Sequence, residues 1–307
     1  MNLNDIQKEI IKLKKETDTV ILAHTYQNPE IINIADYVGD SFALAKDATK
    51  ITAKRVIMCG VRFMGETVKI LSPDKTVIMP TADALCPMAE MINPEEIKKF
   101  KKENPDYSVV CYINTTAETK AVCDVCVTSS SAIRIIKAMN KDKILFVPDK
   151  NLGGFIQKSF PEKEIVLMNG YCPVHNSLSA SDVIKAKKEH PKALFTVHPE
   201  APDEVVKLAD HVGSTSAIID FIKNNPDKQI IIGTEMGVYE NLKQTDKNPN
   251  RLIQLRPDLM LCDDMKKITL ENILSIFKDD SGFEISLNEE LRKRALVCIE
   301  NMLSYGN

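Results

Sequence analysis

Three cysteines, Cys86, Cys172 and Cys262, stand 86 and 90 residues apart, each after a short apolar run: "TVIMPTADALCPMAE", "EIVLMNGYCPVHNS" and "LIQLRPDLMLCDDMKK". Three thiolates at one place suit a soft metal, with zinc competing against an iron-sulfur cluster. A [4Fe-4S] cluster held by three cysteines keeps one iron open, just as a catalytic zinc site keeps a free position, and an open iron is a Lewis acid. A second set is made of proton-transfer groups at the ends of apolar runs: His24 and Tyr26 in "AHTYQ", Tyr112 and Asn114 in "CYINTT", His198 and Glu200 in "VHPEA". A third is made of hydroxyls, Ser41 in "GDS", Ser129 in "TSS" and Thr215 in "GST". Each stands at an expected helix start, where it caps free N–H groups or, jointly with the others, helps hold a ligand with several anionic groups. His175, three residues after Cys172, is a neighbour to a metal, a substrate donor or a solvated cap neighbour. Cys123 and Cys126 have the spacing of a redox or metal pair but no counterpart in the other repeats, so packing is the favoured reading; Cys59, Cys111 and Cys298 read as core.

These residues fall in register because the chain repeats itself. Ser41 to Ser129 is 88 residues and Ser129 to Thr215 is 86. Each repeat carries the strand-like runs "VILAHTYQ", "VVCYINTT" or "LFTVHPEA", then a hydroxyl turn and a helix. A second run follows ("RVIMCG", "KILFVPD", "QIIIGTE") with another helix, and then the cysteine segment. Strands alternating with helices predict three similar three-layer αβα domains with small parallel sheets. Packed around a pseudo-threefold axis with the carboxyl ends of the strands inward, they would bring the three cysteines to one central site. Charged helices ending at proline-marked turns put the boundaries at 1–106, 107–192 and 193–307. An N-terminal helix carrying Ile6, Ile10 and Leu13 belongs to the first unit, and helices from about Ile268 close the third.

With 307 residues, 44% of them hydrophobic, the chain can bury a large core; its net charge of −3, spread over interspersed charges, offers no basic stripe for nucleic acid. No run has the length of a membrane span or the form of a signal peptide, so a cytoplasmic location is expected. The residues alone leave open a [4Fe-4S] hydro-lyase and a non-enzymatic iron-sulfur sensor or zinc-stabilised binding protein.

Taken together, "ILAHTYQ", "VGDS", "YINTTAE", "TSS", "NGYCPVH", "VHPE" and "VGST" resemble the quinolinate synthase family over nearly the whole chain. The resemblance implies a transferase of NAD biosynthesis that condenses iminoaspartate with dihydroxyacetone phosphate to quinolinate, losing phosphate and water. It implies a [4Fe-4S] cluster on Cys86, Cys172 and Cys262 with one open iron, and a substrate pocket of His24, Tyr26, Ser41, Tyr112, Asn114, Ser129, His175, His198, Glu200 and Thr215. Some family members carry a CxxCxxC run at the third cysteine, whereas this chain has a single thiol there. Under this reading Glu200 is the principal base assisted by His198, Tyr26 shuttles a proton or orients an intermediate, and Tyr112 bounds the pocket. Ser129, Thr215 and His198 hold the phosphate, and Ser41 with His24 the second carboxylate. Iminoaspartate would arrive by transient contact with an L-aspartate oxidase or an aspartate dehydrogenase.

Overall fold

The computed structural model describes residues 2–306. Three parallel sheets are built from β1 (Thr19–His24), β2 (Tyr37–Gly39), β3 (Arg55–Cys59) and β4 (Thr76–Met79); β5 (Ser108–Tyr112), β6 (Val125–Val127), β7 (Lys143–Val147) and β8 (Glu164–Leu167); and β9 (Leu194–Val197), β10 (His211–Val212), β11 (Ile230–Gly233) and β12 (Leu252–Gln254). In every sheet the repeat's first strand lies between its second and third, with the fourth outside the third. The three αβα units therefore share one topology. Their central strands are covered on both faces by helices, which is why β3, β7 and β11 read as near-continuous Val and Ile runs rather than alternating ones.

One device recurs in all three units and explains how each sheet edge is fixed. Asp36, Asp124 and Asp210 accept the first strand's backbone N–H of Ile21, Val109 and Phe195, at 2.9, 2.7 and 2.8 Å. A lysine from the preceding helix binds each aspartate: Lys14 at 2.8 Å, Lys101 at 2.6 Å and Lys187 at 3.1 Å. The same lysines donate to the carbonyls of Ile34, Val122 and Leu208, so one ammonium ties a helix to the loop between the first two strands.

The chain's tail leaves the third unit. The helix Leu270–Asp279 packs on the N-terminal helix Leu3–Glu16, and β13 (Phe283–Glu284) joins β4 antiparallel, extending the first sheet to five strands. The last helix, Glu289–Tyr305, lies against β6 and the short helix Ala117–Lys120, burying Cys298, Ile299 and Met302 in a core shared by the first two units. Among the described residues no helix is long and apolar enough to cross a membrane.

Candidate active site

A cavity of about 450 Å³ opens where the carboxyl ends of the strands of all three units meet, and every residue singled out above for chemistry lines it. Among the described residues no lysine or arginine does.

The three repeat cysteines enter it in the same way. Each immediately precedes a four-residue helix, Pro87–Glu90, Pro173–Asn176 or Asp263–Lys266. Backbone N–H groups of these short helices face the sulfurs and favour their thiolates, although none closes to a capping hydrogen bond. Burial dominates in the metal-free chain and pushes the Cys86 and Cys262 thiols up to about 12, and Cys172 also well above its usual value. Cys86, Cys172 and Cys262 are the three partly exposed cysteines; the other five are buried. A second three-cysteine set exists away from this cavity: the sulfurs of Cys111, Cys126 and Cys298 lie within 4.8 Å of one another.

Behind the cysteines runs a hydrogen-bonded chain. His175 Nδ1 lies 2.8 Å from Glu200 Oε2 and 3.3 Å from Cys172 Sγ, and its Nε2 is 2.9 Å from the Thr234 hydroxyl. Thr234 in turn bonds the Tyr26 hydroxyl at 3.2 Å, and Tyr26 bonds Thr215 at 3.1 Å. His198 Nδ1 faces the same Glu200 oxygen at 3.7 Å, and its Nε2 reaches Ser129 at 3.2 Å. Burial alone would raise the Glu200 carboxyl, but His198, His175 and the Tyr112 hydroxyl outweigh it and hold Glu200 well below the carboxylate range. Burial holds His24 and His198 neutral, lowered to about 4, against the pull of Asp40 and Glu200. At neutral pH Glu200 is thus an ionised hub, and His24 and His198 are neutral.

The expected capping hydroxyls have other duties. The caps are Asp40, whose carboxylate accepts from Phe42 and Ala43, and Ser214, which accepts from Ala217. Ser41 and Thr215 are the first helical residues after these caps, while Ser129 precedes Ser131, whose hydroxyl accepts the Thr128 N–H instead of capping its helix. All three candidate hydroxyls are thereby left free of capping. Asn114 Oδ1 is buried at the cavity wall without a partner, an unused polar atom of the kind a bound molecule satisfies.

Sequence reasoning missed Thr234, Asp149 and Glu235. Asp149 and Glu235 follow β7 and β11 and accept the backbone N–H of Cys172 at 3.1 Å and of Cys262 at 3.2 Å. Burial raises Asp149 well above its usual value and Glu235 to about 7. The legible signal was the repeat itself, an acidic residue at the end of the second long strand opening the next helix in two of three units.

Two consequences are measurable. A Cβ on Gly237 would lie 2.5 to 2.8 Å from the Tyr26 backbone, whose carbonyl is held by Lys266 at 2.8 Å, so neither side can yield. Gly237→Ala is expected to cost about 1–3 kcal/mol of stability by overpacking and, by displacing Tyr26, to lower turnover on the order of a hundredfold. Urea unfolding with steady-state kinetics checks both, and unchanged kinetics would sink the link to Tyr26.

The second concerns acid. An unfolded histidine takes its proton near pH 6.5, the folded His198 only near 4. The unfolded state therefore binds more protons in that window, and the His198 contribution to stability falls as pH drops through it, by about 3 kcal/mol at the limit. Glu235 and Asp149, raised by burial, titrate in the opposite sense, so the quantity to read is a difference. In the iron-free chain, His198→Asn should gain stability relative to the unsubstituted protein as pH falls from 6.5 to 4; a pH-independent difference would contradict the burial argument.

The comparisons with known proteins agree with this geometry. The family model described as "Quinolinate synthetase A protein" matches residues 8–304. The chain is 47% identical over 303 residues to the quinolinate synthase of Alkaliphilus metalliredigens, covering 99% of both chains. It is 46% identical over 306 residues to that of Caldicellulosiruptor bescii, covering 100% of both, and 46% identical over 298 residues to that of Clostridioides difficile, covering 97% of both.

Proposed function

Because the chain belongs to the quinolinate synthase family and is therefore an iron-sulfur transferase of NAD biosynthesis, we infer that it condenses iminoaspartate with dihydroxyacetone phosphate to quinolinate, with loss of phosphate and water. The observation that carries this reading is the meeting of Cys86, Cys172 and Cys262 with the His175–Glu200–His198 network at one cavity that no lysine or arginine among the described residues lines.

A [4Fe-4S] cluster with three cysteine ligands and one open iron is the cofactor that fits this chain, and it would be held by Cys86, Cys172 and Cys262. The choice over Cys111, Cys126 and Cys298 is physical. Each thiolate of a cubane binds a different corner, so its ligand sulfurs stand apart around a body several ångströms wide. Cys86 senses the charge of Cys262, and Cys172 that of Cys86, across open space. The other three sulfurs are packed against each other in the core, away from the cavity where substrate could meet an open iron. Bound there, the cluster supplies Lewis acidity toward a carboxylate or imine nitrogen.

The chain's own groups account for the rest. Its substrates are anions, and the cavity meets them with neutral donors: Ser129, Thr215 and His198 for the phosphate, Ser41 and His24 for the second carboxylate. The unpaired Asn114 Oδ1 offers an acceptor to a substrate N–H or O–H. Ring formation needs repeated proton movements, and two routes are at hand: His198, with Nε2 toward Ser129, and the Tyr26–Thr234–His175 chain ending on Glu200. Tyr112 closes the wall beside Glu200. Iminoaspartate hydrolyses readily in water, so transient delivery by an L-aspartate oxidase or aspartate dehydrogenase in the cytoplasm fits the reading. Anaerobic incubation of the four-iron protein with freshly generated iminoaspartate and dihydroxyacetone phosphate should release quinolinate and inorganic phosphate. Iron-replete protein that releases neither would overturn the assignment.

A further inference from the structure

Of the five cysteines with no part in the cavity, four gather at one place in the core. Cys111 lies on β5, Cys126 opposite it in register on β6, Cys123 three residues earlier, and Cys298 on the last helix. Three are fully buried and Cys123 nearly so. The sulfurs of Cys111 and Cys298 are 3.4 Å apart, those of Cys111, Cys126 and Cys298 all lie within 4.8 Å of one another, and Cys123 also reaches Cys111 with its side chain.

We propose that Cys111, Cys123, Cys126 and Cys298 form a closed four-thiolate site for one thiophilic divalent ion, zinc, separate from the catalytic cluster. Zinc–sulfur bonds of about 2.3 Å in a tetrahedron place sulfurs about 3.8 Å apart, which is the scale of the Cys111, Cys126 and Cys298 sulfurs and too tight for ligands on separate corners of a cubane, while Cys123 flanks this set and would turn in to close the tetrahedron. Cys123 and Cys126 supply the two-residue spacing of a zinc chelate loop, and the other two ligands come from distant elements, as in structural sites. Four thiolates around a divalent ion carry a net charge of −2, and one buried and one partly exposed lysine stand near them. Lys120, whose ammonium donates to the carbonyls of Ile113 at 2.7 Å and of Thr115, acts on Cys111 and Cys126, and Lys101 acts on Cys123. Binding the ion releases the thiol protons to solvent, so its affinity falls in acid. The site would pin the last helix to the second sheet. A disulfide is the weaker reading: it would use two of four sulfurs and needs an oxidant to reach a closed core.

The test is elemental analysis of the anaerobically purified full chain, with Cys126→Ser and Cys298→Ser beside it. About one zinc per chain is expected in addition to the cluster iron, with zinc lost and iron kept in both variants. Should the variants fail to fold, cobalt(II) added to the zinc-stripped unsubstituted protein should give the thiolate-to-cobalt charge-transfer bands of a tetrahedral four-sulfur site. Zinc that persists in both variants, a chain that holds neither zinc nor cobalt on these sulfurs, or a mass two daltons short on thiol counting would each overturn the proposal. So would iron lost from Cys126→Ser but kept in Cys86→Ser, which would move the cluster to the core and overturn the ligand assignment above, leaving the quinolinate assay to decide the activity separately.

Discussion

Replacing Cys172 by serine is expected to abolish bound iron and sulfide and to bring quinolinate formation to the background of the assay, and Cys86→Ser and Cys262→Ser should do the same. The reason is the common placement of the three sulfurs. Each sits before a short helix whose N–H groups stabilise a thiolate, and without a metal burial keeps each thiol protonated. A serine hydroxyl is a far weaker ligand at neutral pH because its proton is harder to remove. Cys172 carries a further load, since His175 Nδ1 is shared between its sulfur and Glu200. Its loss should therefore also disturb the imidazole, visible as altered histidine NMR shifts in the iron-free protein, whereas Cys86→Ser should leave those shifts in place. Iron and acid-labile sulfide per chain decide the matter: full content in any one of the three variants would remove that residue from the ligand set.

Much of this arrangement was legible because the chain states it three times. The first, third and fourth strands of each unit, the hydroxyl turns and the cysteine segments recur at nearly constant spacing, and parallel αβα topology follows from strands alternating with helices. The second strand of each unit was not legible. β2 and β10 have three and two residues and half-exposed patterns without an apolar run, so nothing in their composition separates them from loop. Nor was the destination of the tail. β13 is two residues long and exists only because β4 offers an unpaired edge, and Glu289–Tyr305 reads as an amphipathic helix without saying which sheet it covers. The core thiols were hidden for the same reason: Cys298 is 187 residues from Cys111, and no spacing rule connects a strand to a helix that far away. Where the site rests on single residues rather than on repeats, as with Thr234 between Tyr26 and His175, only the fold reveals it.

The Glu200→Gln variant is expected to keep its iron and its fold yet lose about 10²- to 10⁴-fold in turnover, the range of a removed acid–base group. Glu200 is 3% exposed and gathers His175, His198 and Tyr112 around one carboxylate. Held well below the usual carboxylate range, it remains ionised throughout the working pH range and is a weak proton acceptor by itself. Its charge does something else: it favours the His175 tautomer that carries the proton on Nδ1, leaving Nε2 to accept from Thr234, while His198, whose Nδ1 accepts the backbone N–H of Glu200 at 3.3 Å, keeps its proton on Nε2 toward Ser129 and has its charged form supported by the nearby carboxylate. Glutamine preserves the size but offers an N–H to one imidazole and removes the charge from both. The His198 imidazolium, already disfavoured by burial, loses the carboxylate that supports it, so its titration should move below the value of about 4 held in the unsubstituted chain. Proton acceptance at His198 then weakens in step with turnover. The pH profile separates the two roles a carboxylate could have here. If Glu200 acts through the imidazoles, the residual activity of Glu200→Gln keeps an acid limb, displaced downward with His198. If Glu200 is itself the acceptor, the variant loses that limb. Turnover within a factor of two of the unsubstituted enzyme would remove Glu200 from the chemistry altogether.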